Sequence, residues 1–399
     1  MAKKTLRDLT DLRGKRVLIR VDFNVPLDSQ GNITNDRRIR AALPTIRYVL
    51  DAGASAIVMS HLGRPKGDPK KDAILRVDRV AERLRELLGR PVRKVDEVIG
   101  RQVTAAVRAL KPGDVLVLEN LRFHPGEQAG DAEFARQLAA LGDVYVNDAF
   151  GTCHRSDASM EAVPHAMAGK PRVVGFLLAK ELEVLDQLLS SPQRPFVGIL
   201  GGAKVSDKIS FIRSLLTRVD RVLIGGAMTY TFMLGQGQAA GSSLIEADKL
   251  DVALDLLNFG TGKIILPVDH LIADKPDAGA RTQVVEGDIP DGWIGMDIGP
   301  KTIASYADEI KQAGTAVWNG PMGKFEDEPF RRGTRAIAEA LAASKAVTVV
   351  GGGETAEAVE EFGLAEKMTH VSTGGGAFLE YLEGRPFTAL AEIDDRKTS

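Results

Sequence analysis

Short runs of β-branched and other apolar residues alternate with stretches of helical periodicity from one end of the chain to the other. In the first half, residues 16–23, 55–61, 115–120 and 144–150 predict strands. Between the first two, Ile39, Ala42, Leu43, Ile46, Val49 and Leu50 recur on one helix face, with Asn35 or Asp36 placed to cap that helix and Gly53 to end it. The scheme repeats over 196–200, 221–224, 263–268, 315–318, 346–350 and 369–372. Strands alternating with helices predict parallel sheets covered on both faces, so the fold class is α/β with two doubly wound, Rossmann-like domains. Between them, Val174 to Leu189 is apolar at helical spacing, with Leu177, Leu178, Leu182, Leu185, Leu188 and Leu189 on the repeat. Ser190-Ser191-Pro192-Gln193-Arg194-Pro195 follows as a proline-punctuated linker, which predicts a connecting helix with a hinge at each end.

Ligands of open parallel sheets sit beyond the carboxyl ends of the strands, and there the two halves differ. The first half carries Asp22-Phe23-Asn24, His61-Leu62-Gly63-Arg64, Glu119-Asn120-Leu121-Arg122 and His154-Arg155, with Arg38 opening the first helix. Asp22 and Asn24 suit ligand hydroxyls, and the planar forks of Arg38, Arg64, Arg122 and Arg155 suit phosphate or carboxylate. His61 is open to three readings: general base, phosphate donor or hydrogen-bonded bystander. The second half carries glycine instead, in Gly201-Gly202-Ala203-Lys204, Gly225-Gly226, Asn319-Gly320-Pro321, Gly351-Gly352-Gly353-Glu354 and Thr373-Gly374-Gly375-Gly376. Such turns let backbone N–H groups approach a nucleotide's phosphates. A helix beginning near Val205 would aim both Lys204 and Lys208 at those phosphates. Two different phosphorylated ligands are therefore expected, one in each half.

Charge sharpens that division. The net formal charge is -2, but through Arg172 there are 30 Lys+Arg against 22 Asp+Glu, and beyond it 22 against 32. A basic half attracts an anionic substrate, while the overall balance gives no case for a nucleic-acid or membrane partner. The single cysteine, Cys153, cannot form an internal disulfide, the N-terminus lacks an apolar stretch, and no run suits a membrane span, so a cytoplasmic location is expected. Several motifs are decoys. Gly320-Pro321-Met322-Gly323-Lys324 runs into Phe325 and is not a Walker loop; Gly235-Gln236-Gly237-Gln238-Ala239-Ala240 follows a helix-like stretch; Cys153-His154 has no orienting third group.

Taken together, residues 20–26, 38–46, 60–66, 119–123, 147–155, 201–208 and 318–323 resemble the phosphoglycerate kinase family in order along nearly the whole chain. The resemblance implies reversible phosphoryl transfer between 1,3-bisphosphoglycerate and ADP, giving 3-phosphoglycerate and ATP, with Mg2+ on the nucleotide, in a monomer with a deep interdomain cleft. It implies that Asp22, Phe23, Asn24, Arg38, His61, Leu62, Gly63, Arg64, Arg122 and Arg155 form the glycerate-phosphate pocket. It likewise implies that Lys204, Lys208, Gly295, Asn319, Glu326, Gly352, Gly353, Glu354 and Thr355 form the nucleotide site, with Arg38 and Lys204 stabilising the phosphoryl group in flight. Glu354 stands where the family usually has aspartate at the metal-nucleotide position. The implied domains are 1–172 with 375–399 for the substrate, 196–374 for the nucleotide, and 173–195 as helix and linker. Two rivals share the fold: a dehydrogenase, which lacks a strand-following dinucleotide fingerprint, and a noncatalytic nucleotide-binding protein, which has no need of both Arg38 and Lys204.

Overall fold

Val17-Leu18-Ile19 is wholly buried, as befits a strand covered on both faces, and it lies in the strand on which the first sheet is built. That sheet comprises β1 (Arg16–Val21), β2 (Ser55–Met59), β3 (Val92–Lys94), β4 (Val115–Val117), β5 (Val144–Asp148) and β6 (Arg172–Val174). Its order is β3-β4-β2-β1-β5-β6, every pair parallel. The order reverses at β1, so the loops leaving β1, β2 and β5 surround the place where such sheets bind ligands. The helix Arg37–Asp51 buries the expected face, Ile39 to Leu50, and its first turn follows Asp36. Asp36 does not cap it with its side chain, which is drawn to Arg40 and Arg83; Asn35 Oδ1 accepts from Arg37 N at 2.9 Å instead.

A computed structural model describes residues 2–396, which form two units: residues 2–183 with 386–396, and Val184–Arg385. The second holds β7 (Phe196–Leu200), β8 (Arg221–Ile224), β9 (Ile264–Ile265), β10 (Asp269–Ala273), β11 (Thr282–Glu286), β12 (Ile294–Ile298), β13 (Thr315–Asn319), β14 (Val347–Gly351) and β15 (His370–Val371). Six of these form a parallel sheet in the order β15-β14-β13-β7-β8-β9, centred on the buried cluster of Ile199, Trp318 and Val350. The other three pair antiparallel as β11-β10-β12, an addition that the alternating scheme did not predict.

Three boundaries depart from the sequence reading, each for a physical reason. Apolar spacing carried the connecting helix back to Val174, but Val174 pairs in β6, and the helix is Phe176–Ser190. Its start is fixed by Thr45 Oγ1, which accepts from Phe176 N at 2.8 Å, and by Asp148 Oδ1, which accepts from Leu178 N at 3.1 Å. The returning terminal segment begins at Pro386, not at 375. The helix Gly376–Leu382 belongs to unit 2 because it packs on the helix Ile209–Leu216, where Ser214 Oγ donates to Leu382 O at 3.2 Å. Only beyond it does the chain join unit 1, through Arg172 with Asp394 (3.0 Å) and Lys3 with Asp395 (2.8 Å). Finally, the helix expected near Val205 begins at Ile209. Residues 205–208 form a turn in which Glu246 accepts from both the N–H and the hydroxyl of Ser206, so Lys204 and Lys208 do not share a helix face.

Candidate active site

In unit 1 the ends of β1, β2, β4 and β5 bring together most of the anticipated residues. Asp22, 6% exposed, follows β1, and its Oδ2 accepts from Arg38 Nη1 at 2.8 Å. Burial alone would raise the Asp22 carboxyl; Arg38 foremost outweighs it and holds the group below the usual carboxylate range. Asn24 Oδ1 accepts from Gly63 N at 2.8 Å, and the Gly63 carbonyl accepts from Arg122 Nη1 at 2.8 Å, so the loops after β1, β2 and β4 are tied into one rim. Leu62 and Phe23 are buried beneath it as packing. His61 lies inside at 1% exposure, and burial pushes its imidazole well below the ordinary value. The Asp22 charge opposes that shift, and Arg20, Arg122 and Arg155 add to it. Burial also lowers Arg122, with Arg155 next among the causes, as expected where guanidinium groups crowd together. Arg64 is exposed on the loop after β2.

Two contributors were given no role in the sequence reading. Asn120 is the knot of the rim: its Oδ1 accepts from Leu62 N and Arg122 N, both at 3.1 Å, and its Nδ2 donates to the carbonyls of Leu62 and Leu75. Its place two residues before Arg122, at the same strand end, was a usable signal. Asp157, 3.8 Å from Arg122 Nη2, was not, because nothing in its spacing marks it as facing that arginine. Cys153 is buried, and desolvation first among the causes pushes its thiol up to about 12, which removes it as a nucleophile.

In unit 2 the site is built from backbone. A Cβ on Gly201 would lie 2.0 Å from Pro321 O, so the turns after β7 and β13 touch because neither carries a side chain there. Gly352, at φ 95°, opens the helix Gly353–Glu361 behind β14, leaving its first N–H groups free to meet an anion. Gly320 N donates to Thr355 Oγ1 at 2.7 Å, and Asn319 Nδ2 donates to Gly351 O at 2.9 Å, which locks the β13 and β14 turns together. Beside them lies a cavity of about 320 Å³ whose walls include Gly202, Ala203, Gly226, Gly295, Glu326 and Glu354. Leu244, Pro276 and Lys324 also line it and were not anticipated. Lys204 is exposed, whereas Lys208 turns inward and donates to Asn319 Oδ1 at 2.6 Å and Asn319 O at 3.2 Å. Asn319 thus orients a lysine with its amide oxygen while its amide nitrogen holds Gly351, so both ends of the amide are occupied.

Burial lowers the Lys208 ammonium to about 8, against the pull of Glu354 and Asp207. The group is charged at neutral pH and discharges as pH rises through that value. If its charge holds a phosphate, the Kd for ADP rises toward tenfold per pH unit above about pH 8, and Lys208→Arg flattens the profile. Calorimetric titration from about pH 7 to about pH 9.5 reads this, and a flat wild-type profile refutes it.

Glu354 is the one carboxylate at the helix start, and no group of three or more His, Cys, Asp or Glu side chains among the described residues is arranged to hold a metal. That donor set fits Mg2+ carried largely by a ligand's phosphates, which needs only one or two protein carboxylates.

The family model for phosphoglycerate kinase matches residues 6–385. The chain is 54% identical to the phosphoglycerate kinase of Moorella thermoacetica over 99% of its length and all of the relative's. It is 56% identical to that of Chloroflexus aurantiacus, with the same coverage of each. Among solved structures it is similar to the phosphoglycerate kinase of Coxiella burnetii (TM-score 0.85, 40% identity) and that of Pyrococcus horikoshii OT3 (TM-score 0.86, 32% identity), each over 98% of both chains.

Proposed function

The chain belongs to the phosphoglycerate kinase family, and from that premise we infer how its two groups of residues divide the work. The enzyme catalyses reversible phosphoryl transfer between 1,3-bisphosphoglycerate and ADP, giving 3-phosphoglycerate and ATP, a glycolytic step. The observation that carries the division is chemical. Side-chain cations gather at the strand ends of unit 1, and amide-lined glycine turns around a cavity gather at those of unit 2. The first arrangement suits a small, highly charged acid; the second suits a nucleotide whose phosphates need close backbone approach.

Asp22, Asn24, Arg38, His61, Arg64, Arg122 and Arg155 take the glycerate phosphate, and Phe23, Leu62 and Gly63 shape the rim around it. Gly295 and Glu326 flank the nucleotide, while Lys208 and residues 352–355 meet its phosphates. Mg2+ carried on the nucleotide would neutralise phosphate charge, and Glu354 would be the carboxylate to hold it. Chemistry then requires no general base. The acceptor in the ATP-consuming direction is a carboxylate, ionised at neutral pH, and in the other direction it is a phosphate oxygen. Catalysis rests on in-line positioning and on the cations of Arg38 and Lys204, which stabilise the group in transit.

Reactants held on separate units have to be brought together and shielded from water, which calls for closure about hinges at the connecting helix. Small-angle scattering is expected to show compaction when 3-phosphoglycerate and nucleotide are both bound; an unchanged radius of gyration contradicts closure. The lone cysteine and the glycolytic family favour a cytoplasmic enzyme, and the family resemblance favours a monomer; among the described residues no helix is long and apolar enough to cross a membrane. The function is tested by coupled assay of 3-phosphoglycerate-dependent ATP consumption, with and without Mg2+. Nucleotide binding without turnover would return the chain to the noncatalytic reading.

A further inference from the structure

Arg20 is wholly buried, and each arm of its guanidinium is committed. Its Nε donates to Ser159 Oγ at 2.8 Å, its Nη1 to the Val21 carbonyl, and its Nη2 meets His61 Nδ1 at 3.2 Å. Ser159 donates its own hydroxyl to Glu127 Oε1 at 2.6 Å and its N–H to Glu127 Oε2 at 3.0 Å. Tyr145 pins the same residue by donating to the Ser159 carbonyl at 2.8 Å. Glu127, Ser159 and Arg20 are all inaccessible to solvent, so water cannot substitute for any member of the chain.

The bonds have a fixed direction. A guanidinium carries only donors, so His61 Nδ1 is an acceptor, and in the neutral ring the one remaining proton must sit on Nε2. Nε2 is buried and has no partner among the protein's own described atoms. We propose that Glu127, through Ser159 and Arg20, holds His61 as the Nε2–H tautomer, so that His61 meets the substrate's anion as a neutral hydrogen-bond donor. It is then neither a base nor a further cation. Glu127, Ser159 and Arg20 are positioning residues, and the donor role rests on the placing of 3-phosphoglycerate in unit 1.

The surroundings favour the neutral ring. Desolvation is the largest influence on His61, and Arg20, Arg122 and Arg155 all oppose a second positive charge, with Asp22 alone favouring it. A neutral donor adds direction to a pocket that already has cations enough. It also keeps the pocket's charge constant across the pH range in which an ordinary histidine titrates.

The test is nitrogen NMR of the full-length protein labelled at histidine, with the His61 signals assigned by their loss in His61→Gln. A protonated Nε2 and an unprotonated Nδ1 are expected from about pH 6 to about pH 8, and Nε2 shifts when 3-phosphoglycerate is added. A doubly protonated ring, or a proton on Nδ1, in the free protein overturns the relay. If 3-phosphoglycerate moves His154 but leaves His61 untouched, the donor role fails while the placing of substrate stands; if neither moves, the placing itself fails. Ser159→Ala is expected to spread the His61 proton over both nitrogens and to raise KM for 3-phosphoglycerate about tenfold with KM for ATP unchanged. Ser159→Thr, which keeps the hydroxyl, restores both readings. Unaltered His61 signals in a folded Ser159→Ala protein overturn the relay. Should that variant not fold, the wild-type tautomer decides alone.

Discussion

Lys204→Ala is expected to cut kcat at least ~100-fold while leaving the Kd for nucleotide within about threefold. The reason lies in how the turn after β7 is built. Lys208 is turned inward to Asn319, while Lys204 is exposed with no hydrogen bond holding its ammonium to the turn. Its backbone is nonetheless fixed from the next residues, because Glu246 binds the N–H and hydroxyl of Ser206. An exposed cation on a turn held by Glu246 gives little to ground-state binding but can meet charge that develops during transfer. Steady-state and single-turnover kinetics together check this. A variant that loses nucleotide affinity in proportion to kcat would reassign Lys204 to binding, and near-normal turnover would remove it from the mechanism.

Gly201→Ala is the second large effect, and it acts on the scaffold. The added Cβ would lie 2.0 Å from Pro321 O and 2.7 Å from Gly320 O, both backbone atoms that cannot rotate away. Relief requires the turn after β7 to move from the turn after β13, breaking the hydrogen bonds from Gly201 N to Asn319 O and from Gly202 N to Pro321 O, both 3.0 Å. Forced overpacking of this kind costs about 3 kcal/mol, enough to lower the unfolding midpoint of unit 2 by about 10 °C. Nucleotide binding should weaken with it, since Gly202 and Pro321 line the cavity. Calorimetric unfolding with an ADP titration reads both effects, and wild-type values in each would show that the two turns are not interlocked.

Much of this was legible in the sequence because parallel strands buried on both faces leave continuous apolar runs, as at Val17 to Ile19. The polar residues that interrupt those runs then mark the strand ends; Asp22 after β1 and His61 after β2 are examples. Much of what the pattern missed was short or exposed, but β10 and β12, five residues each and largely buried, were missed because they pair antiparallel, outside the alternating scheme. β3 and β6 have three residues each, too few for a period, and β11 is largely exposed, so its face has no apolar signature. The start of the helix at Ile209 depends on Glu246, some forty residues away, which no local spacing reveals. The same applies to the site. Cations and glycines could be named from their positions, but the inward turn of Lys208 and the chain from Glu127 to His61 are products of tertiary packing.

The central claim is that unit 1 holds the acid and unit 2 the nucleotide. A crystal structure with 3-phosphoglycerate and ADP bound tests it most directly. The account predicts the glycerate phosphate against Arg38 and Arg122, and the nucleotide phosphates against the turns at Gly202 and Gly352. Both reactants on one unit, with the other empty, would contradict it.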